Sequence, residues 1–410
     1  MRRARLPPRL PPRASPLPRP PLRCPPLHQD LLAFSRQAAE PPAEAAARSA
    51  ALLRLQHALR IASPAGGAAH VIGSTSSALQ LPRGDVDVVI EAPGAALAAD
   101  RAALLLRLSH ALREGGVAGA QLCRPSFLKW TDAETGVKFD ASVNHAAAVR
   151  SSALLARAVA AEPAIAPLVK VVKAQLLLHG AHQSYNGGVN GYLLANMVRH
   201  LLARRGAIAR ELDARDAAEG GVRRGAAEGE FDLGGLLLHF YWYYGFEVDV
   251  RCTLRVVPDE HDRTGALVHR PGTRGHMPHE PHMLSLIDPE DSGNDVGKSA
   301  YRFYTAVRTM LRASYTRLML DPREPRADEW GELGEWGEEG RGGGEAEGRS
   351  ALRLMRLLPS WKPSLSREGL IKCNRLWATI SRRRGFDLAT IRNPNATLAP
   401  DERKSDPMWE

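Results

Sequence analysis

Two aspartates, Asp85 and Asp87, lie two residues apart in the segment LPRGDVDVVI, whose β-branched residues predict a strand. Side chains alternate between the two faces of a strand, so both carboxylates would point the same way. Like charges this close repel each other, and Mg²⁺ relieves the repulsion because it binds several carboxylate oxygens. Alone, such a pair is more often a solvated strand edge, so metal chemistry requires further ligands nearby.

A third carboxylate, Asp140, lies in the segment VKFDASV, where apolar residues alternate with polar ones. If this strand is a neighbour of the first, three carboxylates converge on one surface. That arrangement predicts a two-metal site for phosphoryl transfer. One Mg²⁺ or Mn²⁺ ion would lower the pKa of an attacking hydroxyl, and the other would neutralise the leaving pyrophosphate.

The pair Gly73-Ser74 precedes the carboxylates, where a predicted strand ends and a helix could begin. Glycine permits close approach of the backbone, and free amides together with the serine hydroxyl can hold a triphosphate oxygen. A Gly-Ser pair alone is usually an ordinary turn. In combination with the three aspartates, it favours nucleotide binding.

The elements that must position these residues form two regions, an α/β region built on a small sheet and a mainly helical region. The predicted divisions are a disordered basic tail (1–26), lead-in helices packed on the helical domain (27–62), an α/β domain (63–148), a helical domain (149–322), an acidic Gly-rich linker (323–350) and a C-terminal extension (351–410).

The formal net charge of +10 comes mainly from the N-terminal tail, because the first 27 residues contain seven arginines and no acid. A Pro-rich, Arg-rich tail could contact RNA phosphates, serve as an organelle-targeting segment or have no specific role. The four cysteines are far apart and predict no disulfide framework, which favours the nucleus or cytosol. No apolar run approaches the length of a membrane-spanning helix, and we expect no membrane contact.

Residues 27–320 resemble the non-canonical poly(A) polymerase family of polymerase-β-like nucleotidyltransferases. Matching segments follow in the family's order: LHQDLLAF, GSTSSALQLPRGDVDVVI, VKFDASVN, LVKVVKAQLLL, YNGGVNGYLLANMV, FDLGGLLLHFYWYYG and IDPEDSGNDVGKSAY. The resemblance implies a palm domain with a small mixed sheet and a helical central domain with a PAP-associated segment. The active site would lie in the cleft between them.

The resemblance also implies roles for individual residues. Asp85 and Asp87 would bridge two metal ions, and Asp140 would complete the metal that activates the RNA 3′-hydroxyl. The nucleotide-binding positions are Gly73, Ser74, Lys173, Tyr192, Asn294, Asp295 and Lys298. In this set Ser74 and Lys173 would hold the triphosphate, with Lys170 one turn before Lys173. Tyr192 would stack on the base, and Asn294 and Asp295 would reach the base or its waters.

The implied reaction is template-independent addition of AMP from ATP to an RNA 3′ end, in RNA surveillance or decay. Similar family members work in the nucleus with RNA-binding zinc-knuckle and helicase partners. A cytoplasmic or organellar location stays open if the N-terminus is a targeting segment. Members that prefer UTP commonly carry histidine at the position of Asn294, so the resemblance favours ATP.

Four positions depart from the family's pattern. Gly191 replaces a serine that would touch the triphosphate, and Lys298 replaces an arginine. Ala148 and Gly84 replace a common glycine and serine, respectively. Two alternatives therefore stay open, a terminal uridylyltransferase and a catalytically weak RNA-binding scaffold.

Overall fold

The computed structural model describes residues 17–115, 120–124, 127–218, 231–248, 253–256 and 284–320. The predicted linker (323–350) and C-terminal extension (351–410) lie outside the described residues, as do the first sixteen residues of the tail.

A five-stranded mixed sheet forms the α/β domain and confirms the predicted fold class. Its strands are β1 (Ala68–Ile72), β2 (Val86–Glu91), β3 (Gln121–Arg124), β4 (Phe127–Thr131) and β5 (Lys138–Val143). They lie in the order β1-β2-β5-β4-β3. The central pair, β2 and β5, is parallel, and the other pairs are antiparallel. The two strands that carry the aspartates are therefore direct neighbours.

The core of this domain lies between the sheet and two helices, α2 (Pro42–Ala62) and α4 (Ala98–Glu114). The inward side of β5 contributes Phe139, whose ring stacks on Trp130 of β4 with centroids 4.8 Å apart. Because the apolar side chains of β2 and β5 fill this core, their polar side chains must lie on the other face of the sheet.

The two lead-in helices pack on different domains. Helix α1 (Pro25–Gln37) packs on the helical domain. Helix α2 instead buries Leu55 and Leu59 in the core of the α/β domain. Its Arg54 also donates to Asp132, after β4, with 2.8 Å between Nε and Oδ1. The prediction that α2 packs on the helical domain is wrong, because its apolar face meets the sheet.

The end of the N-terminal tail is ordered, which contradicts the prediction of disorder over 1–26. The backbone amide of Cys24 donates to Asp232 Oδ1 at 3.0 Å. Tyr315 donates its hydroxyl to the carbonyl of Pro18 at 2.5 Å. These contacts satisfy the tail's backbone groups and hold it on the helical domain.

The helical domain surrounds one long apolar helix, α6 (Ile165–Leu178), which is buried along most of its length. Its other helices are α5 (Ala146–Ala161), α7 (Gly191–Ala203), α8 (Arg205–Ala218), α9 (Leu233–Trp242) and α10 (Arg308–Leu320), with a two-stranded sheet of β6 (Thr253–Leu254) and β7 (Ser285–Leu286). Buried polar contacts tie these helices together, since Gln175 accepts from Tyr241 at 2.6 Å and donates to Ser314 at 3.2 Å.

In the described part of the chain, no single helix is long and apolar enough to span a membrane. Helices α5 and α6 pass that test only as a pair, and they are bent by 118°.

Asn144 fixes the ends of the two central strands relative to each other. Its φ of +53° lies in the left-handed region, which asparagine tolerates better than most residues. The side chain accepts from the amide of Ala92 and donates to the carbonyls of Ala92 and Ala95, at 2.9 to 3.1 Å. The loops that follow β2 and β5 are thereby joined, which stabilises the register that the aspartates depend on.

Candidate active site

The parallel register of β2 and β5 places Asp87 directly opposite Asp140. Asp85 lies one residue before β2, so its side chain shares a face with that of Asp87. The three carboxylates thus lie on one face of the sheet, near the N-terminal ends of its two central strands.

Burial and mutual repulsion make this cluster electrostatically unfavourable. Burial, with a further contribution from the charge of Asp140, raises the pKa of Asp87 to about 6. Burial also raises the pKa of Asp85, and Lys138 partly opposes that change. Carboxylates that repel each other are stabilised in their charged form by a bound cation.

Lys129 is the cation that lies nearest to the third carboxylate. It lies opposite Asp140 in the antiparallel pairing of β4 and β5, and its Nζ is 2.7 Å from Asp140 Oδ2. Partial burial lowers the pKa of Lys129, but the hydrogen bond and charge of Asp140 outweigh this effect and raise it overall. Lys129 is not evident from the sequence, because the antiparallel β4–β5 pairing cannot be read from the alternation within either strand.

The three aspartates have the donor chemistry that Mg²⁺ or Mn²⁺ prefers, namely hard carboxylate oxygens. Among the residues described, however, no group of three acidic, histidine or cysteine side chains is arranged closely enough to enclose a metal ion. The ion pair with Lys129 occupies one oxygen of Asp140. The chemistry of the three carboxylates fits a divalent cation, and Lys129 must leave Asp140 for all three to bind it.

Gly73 packs directly against the carboxylate cluster. Its φ is +67°, and a Cβ at this position would lie 2.7 Å from Asp87 Oδ2, so glycine is required. Its amide donates to Ser152 Oγ at 2.9 Å, which contradicts the expectation of a free amide. Helix α5, which presents Ser152, packs against the short helix α3 (Gly73–Ser76). Ser74 is half-buried in that helix, next to Gly73.

Lys173 brings a positive charge from the helical domain to the carboxylates. Its side chain is half-buried, and its Nζ donates to the carbonyl of Leu79 at 3.3 Å. Burial lowers its pKa to about 8, although the charges of Asp87 and Asp85 partly oppose this shift. The neighbouring Lys170 donates instead to the carbonyl of Ala38, after α1, so it does not share the position of Lys173.

Tyr192 and Asn294 meet at Asp288. This residue lies in the segment IDPEDSGNDVGKSAY, but its role is not evident from the sequence. Asp288 accepts from the Tyr192 hydroxyl at 2.8 Å and from Asn294 Nδ2 at 3.0 Å. Lys298 then donates to Asn294 Oδ1 at 3.0 Å. The predicted base-binding residues are therefore linked in one hydrogen-bonded chain. The feature of the sequence that could have indicated Asp288 is its charge, next to Pro289 in the same loop as Asn294.

Asp295 has a structural position, which contradicts the prediction that it reaches the base. Its side chain is 2% exposed and accepts from the amides of Leu286 and Gly297 at 2.9 and 2.8 Å. It also accepts from Ser285 Oγ at 2.6 Å. Asp295 therefore holds the loop that presents Asn294 and Lys298.

Helix α5 connects the base-binding chain to the carboxylate cluster. Ser151 lies within hydrogen-bonding reach of the Tyr192 hydroxyl, and the adjacent Ser152 binds the Gly73 amide. Arg150 on the same helix pairs with Glu290, with 2.6 Å between Nε and Oε1. One helix thus positions the base-binding loop relative to the palm.

The raised pKa of Asp87 predicts a pH-dependent cost to stability in the absence of metal. A carboxyl group with a higher pKa in the folded than in the unfolded state loses stability as the pH rises through the folded pKa. We expect Asp87→Asn, in the presence of a chelator, to be more stable than wild type at neutral pH by on the order of 2 to 3 kcal/mol. The difference should vanish below about pH 3, where both states bind the proton.

Urea denaturation at a series of pH values measures this difference. Glu114→Gln, which changes an exposed carboxylate on α4, is the matched control and should show no comparable gain. A stability gain in Asp87→Asn that is the same at every pH would contradict the assignment of the cost to ionised Asp87.

Comparison with known proteins agrees with this architecture. Residues 27–158 match the family described as "Poly(A) RNA polymerase, mitochondrial-like, central palm domain". The poly(A) RNA polymerase CID14 of Cryptococcus neoformans is 27% identical over 264 residues, which are 63% of this chain and 31% of that protein. The inactive non-canonical poly(A) RNA polymerase protein Trf4-2 of Drosophila melanogaster is 27% identical over 286 residues, 67% of this chain and 64% of that protein.

Among solved structures, a histidine-to-asparagine mutant of the Cid1 poly(U) polymerase bound to MgATP has the same fold. Its TM-score is 0.57 at 17% identity, and the match covers 74% of this chain and 97% of that chain. The chain spans about a third of the length of the CID14-type relatives that it matches. The palm match, the relatives and the sheet with its neighbouring aspartate strands agree, and the chain is similar to the non-canonical poly(A) polymerases.

Proposed function

We propose that this chain transfers AMP from ATP to the 3′-hydroxyl of an RNA, without a template, and releases pyrophosphate. The observation that carries the proposal is the register that places Asp87 opposite Asp140, with Gly73 packed against Asp87. Catalysis of phosphoryl transfer consists mainly of positioning and of charge stabilisation. A cluster of acidic groups beside a glycine turn and a lysine can both position the reactants and stabilise the developing charge.

The three aspartates would hold the divalent cations. Bound there, Mg²⁺ or Mn²⁺ would favour ionisation of the attacking hydroxyl and stabilise the charge that develops on the phosphates. Other residues of the chain would bind the triphosphate. Gly73 allows the triphosphate to approach the backbone, and Ser74 can donate its hydroxyl to a phosphate oxygen.

Lys173 is suited to the triphosphate because it carries a positive charge into a buried site. Its pKa of about 8 keeps most molecules protonated at neutral pH, and an adjacent phosphate would favour the charged form further. The displaced pyrophosphate would gain a charge-assisted hydrogen bond from its ammonium group.

The base would bind at the chain of Tyr192, Asp288 and Asn294. The Tyr192 ring offers a flat surface for stacking, and Asp288 fixes the ring by accepting from its hydroxyl. The carboxylate of Asp288 also orients the Asn294 amide, which can donate to and accept from an adenine edge. These contacts favour ATP.

The scaffold alternative rests on Gly191, on Lys298 and on the similarity to an inactive relative. Gly191 has no atom within 4 Å of the position of an added Cβ, so the missing serine leaves open space beside a possible triphosphate site. A lost hydroxyl contact costs about 1 kcal/mol. Such a loss would weaken activity but leave the three carboxylates able to act.

We further propose a nuclear role in RNA surveillance or decay, with an RNA-binding zinc-knuckle cofactor and a helicase as partners. The support is the similarity to CID14-type relatives and the modest charge of the chain outside its N-terminal tail. A partner that binds RNA would compensate for the weak attraction between RNA phosphates and the chain outside its N-terminal tail.

Primer extension tests the proposed reaction. Purified protein with Mn²⁺ or Mg²⁺, a short RNA primer and each nucleoside triphosphate separately should add AMP best. Asp85→Ala should abolish the addition, because its carboxylate is needed to hold metal and cannot be replaced by a methyl group. Glu114→Gln should extend the primer like wild type. Failure to incorporate any nucleotide, with or without an RNA-binding partner, would favour the scaffold alternative.

Asn294→His tests the choice of nucleotide. The family resemblance places histidine at this position in enzymes that prefer UTP, so the substitution should lower the ratio of AMP to UMP incorporation by about tenfold, which corresponds to 1.4 kcal/mol. Single-turnover extension with each triphosphate measures the ratio. Asn294→Ala is the control, and it should slow both reactions without favouring UTP. An unchanged ratio in Asn294→His would remove the support that Asn294 gives to ATP.

A further inference from the structure

Two exposed tyrosines lie beside the base-binding residues and take no part in the proposed reaction. In the part of the chain that the structure describes, Tyr185 and Tyr301 are the exposed large aromatic side chains, at 68% and 46% exposure. They are more than a hundred residues apart in sequence, yet the hydroxyl of Tyr301 donates to the carbonyl of Tyr185 at 3.3 Å.

The backbone holds this pair firmly in place. The ring of Tyr301 lies over Gly187, where an added Cβ would come within 2.5 Å of a ring carbon. Gly187 also has a left-handed φ of +71°, and its carbonyl accepts from the amide of Arg302 at 3.0 Å. The next residue, Gly188, packs so closely on the carbonyl of Ala181 that a Cβ would clash with it. The turn can therefore present aromatic rings to solvent without losing its own order.

The pair lies next to both parts of the base-binding chain. Tyr185 belongs to the turn Ser184–Asn186, which leads into α7 and Tyr192. Tyr301 lies two residues after the turn Val296–Ser299, whose Lys298 donates to Asn294. Lys298 and Arg302 also place positive charges on either side of Tyr301 in sequence. An extended ligand that enters the base-binding region can thus reach both rings.

Exposed aromatic rings flanked by cations match the chemistry of unpaired RNA. Bases stack on tyrosine with little dependence on sequence, and nearby lysine and arginine follow the phosphates. Tyrosine also loses little conformational entropy on binding, because its side chain has two rotatable bonds. A buried role for the rings is ruled out by their exposure.

We propose that Tyr185 and Tyr301 form a stacking platform for unpaired bases of the RNA acceptor, upstream of its 3′ end. The identity of the ligand as RNA rests on the proposed function. Base stacking on the platform would add to the RNA affinity, because the modest charge of the chain outside its N-terminal tail contributes little. It would also favour single strands, because the bases of a duplex are stacked on one another and cannot reach the rings.

Fluorescence anisotropy with a labelled single-stranded RNA tests the platform. Tyr185→Ala should weaken binding by about 5- to 150-fold, the range expected when one base loses its stacking partner. Tyr185→Phe keeps the ring and should bind like wild type. Leu53→Ala removes a side chain of similar exposure, 65%, from α2 and should leave RNA affinity unchanged. The hydroxyl of Tyr185 donates to Gln183, the residue before the same turn, so Tyr185→Ala should fold, and its melting temperature checks this.

Wild-type affinity for RNA in Tyr185→Ala, equal losses for single-stranded and duplex RNA, or no RNA binding by wild type would each overturn the platform. The two proposals fail in different ways. If wild type extends RNA and Tyr185→Ala has an unchanged KM for RNA, the platform is wrong and the proposed reaction stands. If no nucleotide is incorporated but Tyr185→Ala still loses affinity for single strands, the reaction is wrong and the platform stands.

Discussion

The parallel pairing of β2 and β5 holds Asp87 and Asp140 side by side, although their charges repel each other. The apolar faces of both strands are buried in the core, and that burial maintains the register against the repulsion. Asn144 strengthens it further by tying together the loops that follow the two strands. The rest of the site depends on this arrangement, since Gly73 and Lys173 are both placed relative to Asp87.

Two lysines approach the acidic cluster from opposite domains and differ in their surroundings. Lys129 comes from the sheet, is half exposed and pairs directly with Asp140. Lys173 comes from α6, is half-buried and has a pKa lowered to about 8. An exposed cation can leave its carboxylate when a divalent ion arrives, whereas a partly desolvated ammonium gains most from a new anionic partner such as a phosphate. The asymmetry therefore suits a site that must accept both a metal and a triphosphate.

The sequence predicted those features that depend on local alternation and on motifs. Both aspartate strands and the mixed sheet were found in this way, but the convergence of the carboxylates required the condition that the strands be neighbours. The role of Lys173 is implied only by the family resemblance. Contacts between distant segments were not predictable. Ser152 reaches Gly73, Lys129 reaches Asp140 and Asp288 joins Tyr192 to Asn294 only after the chain has folded. For the same reason, the burial of Asp295, the packing of α2 and the anchoring of residues 17–24 differed from expectation.

The binding of Mn²⁺ by the metal-free protein, without nucleotide, tests the central claim most directly. Electron paramagnetic resonance reports the free ion, so its loss from solution measures uptake by the protein. The claim that the paired strands create a cation site predicts saturable uptake by wild type and by Glu114→Gln, and its loss in Asp87→Asn. Equal uptake by Asp87→Asn and wild type would contradict it, as would the absence of uptake by wild type.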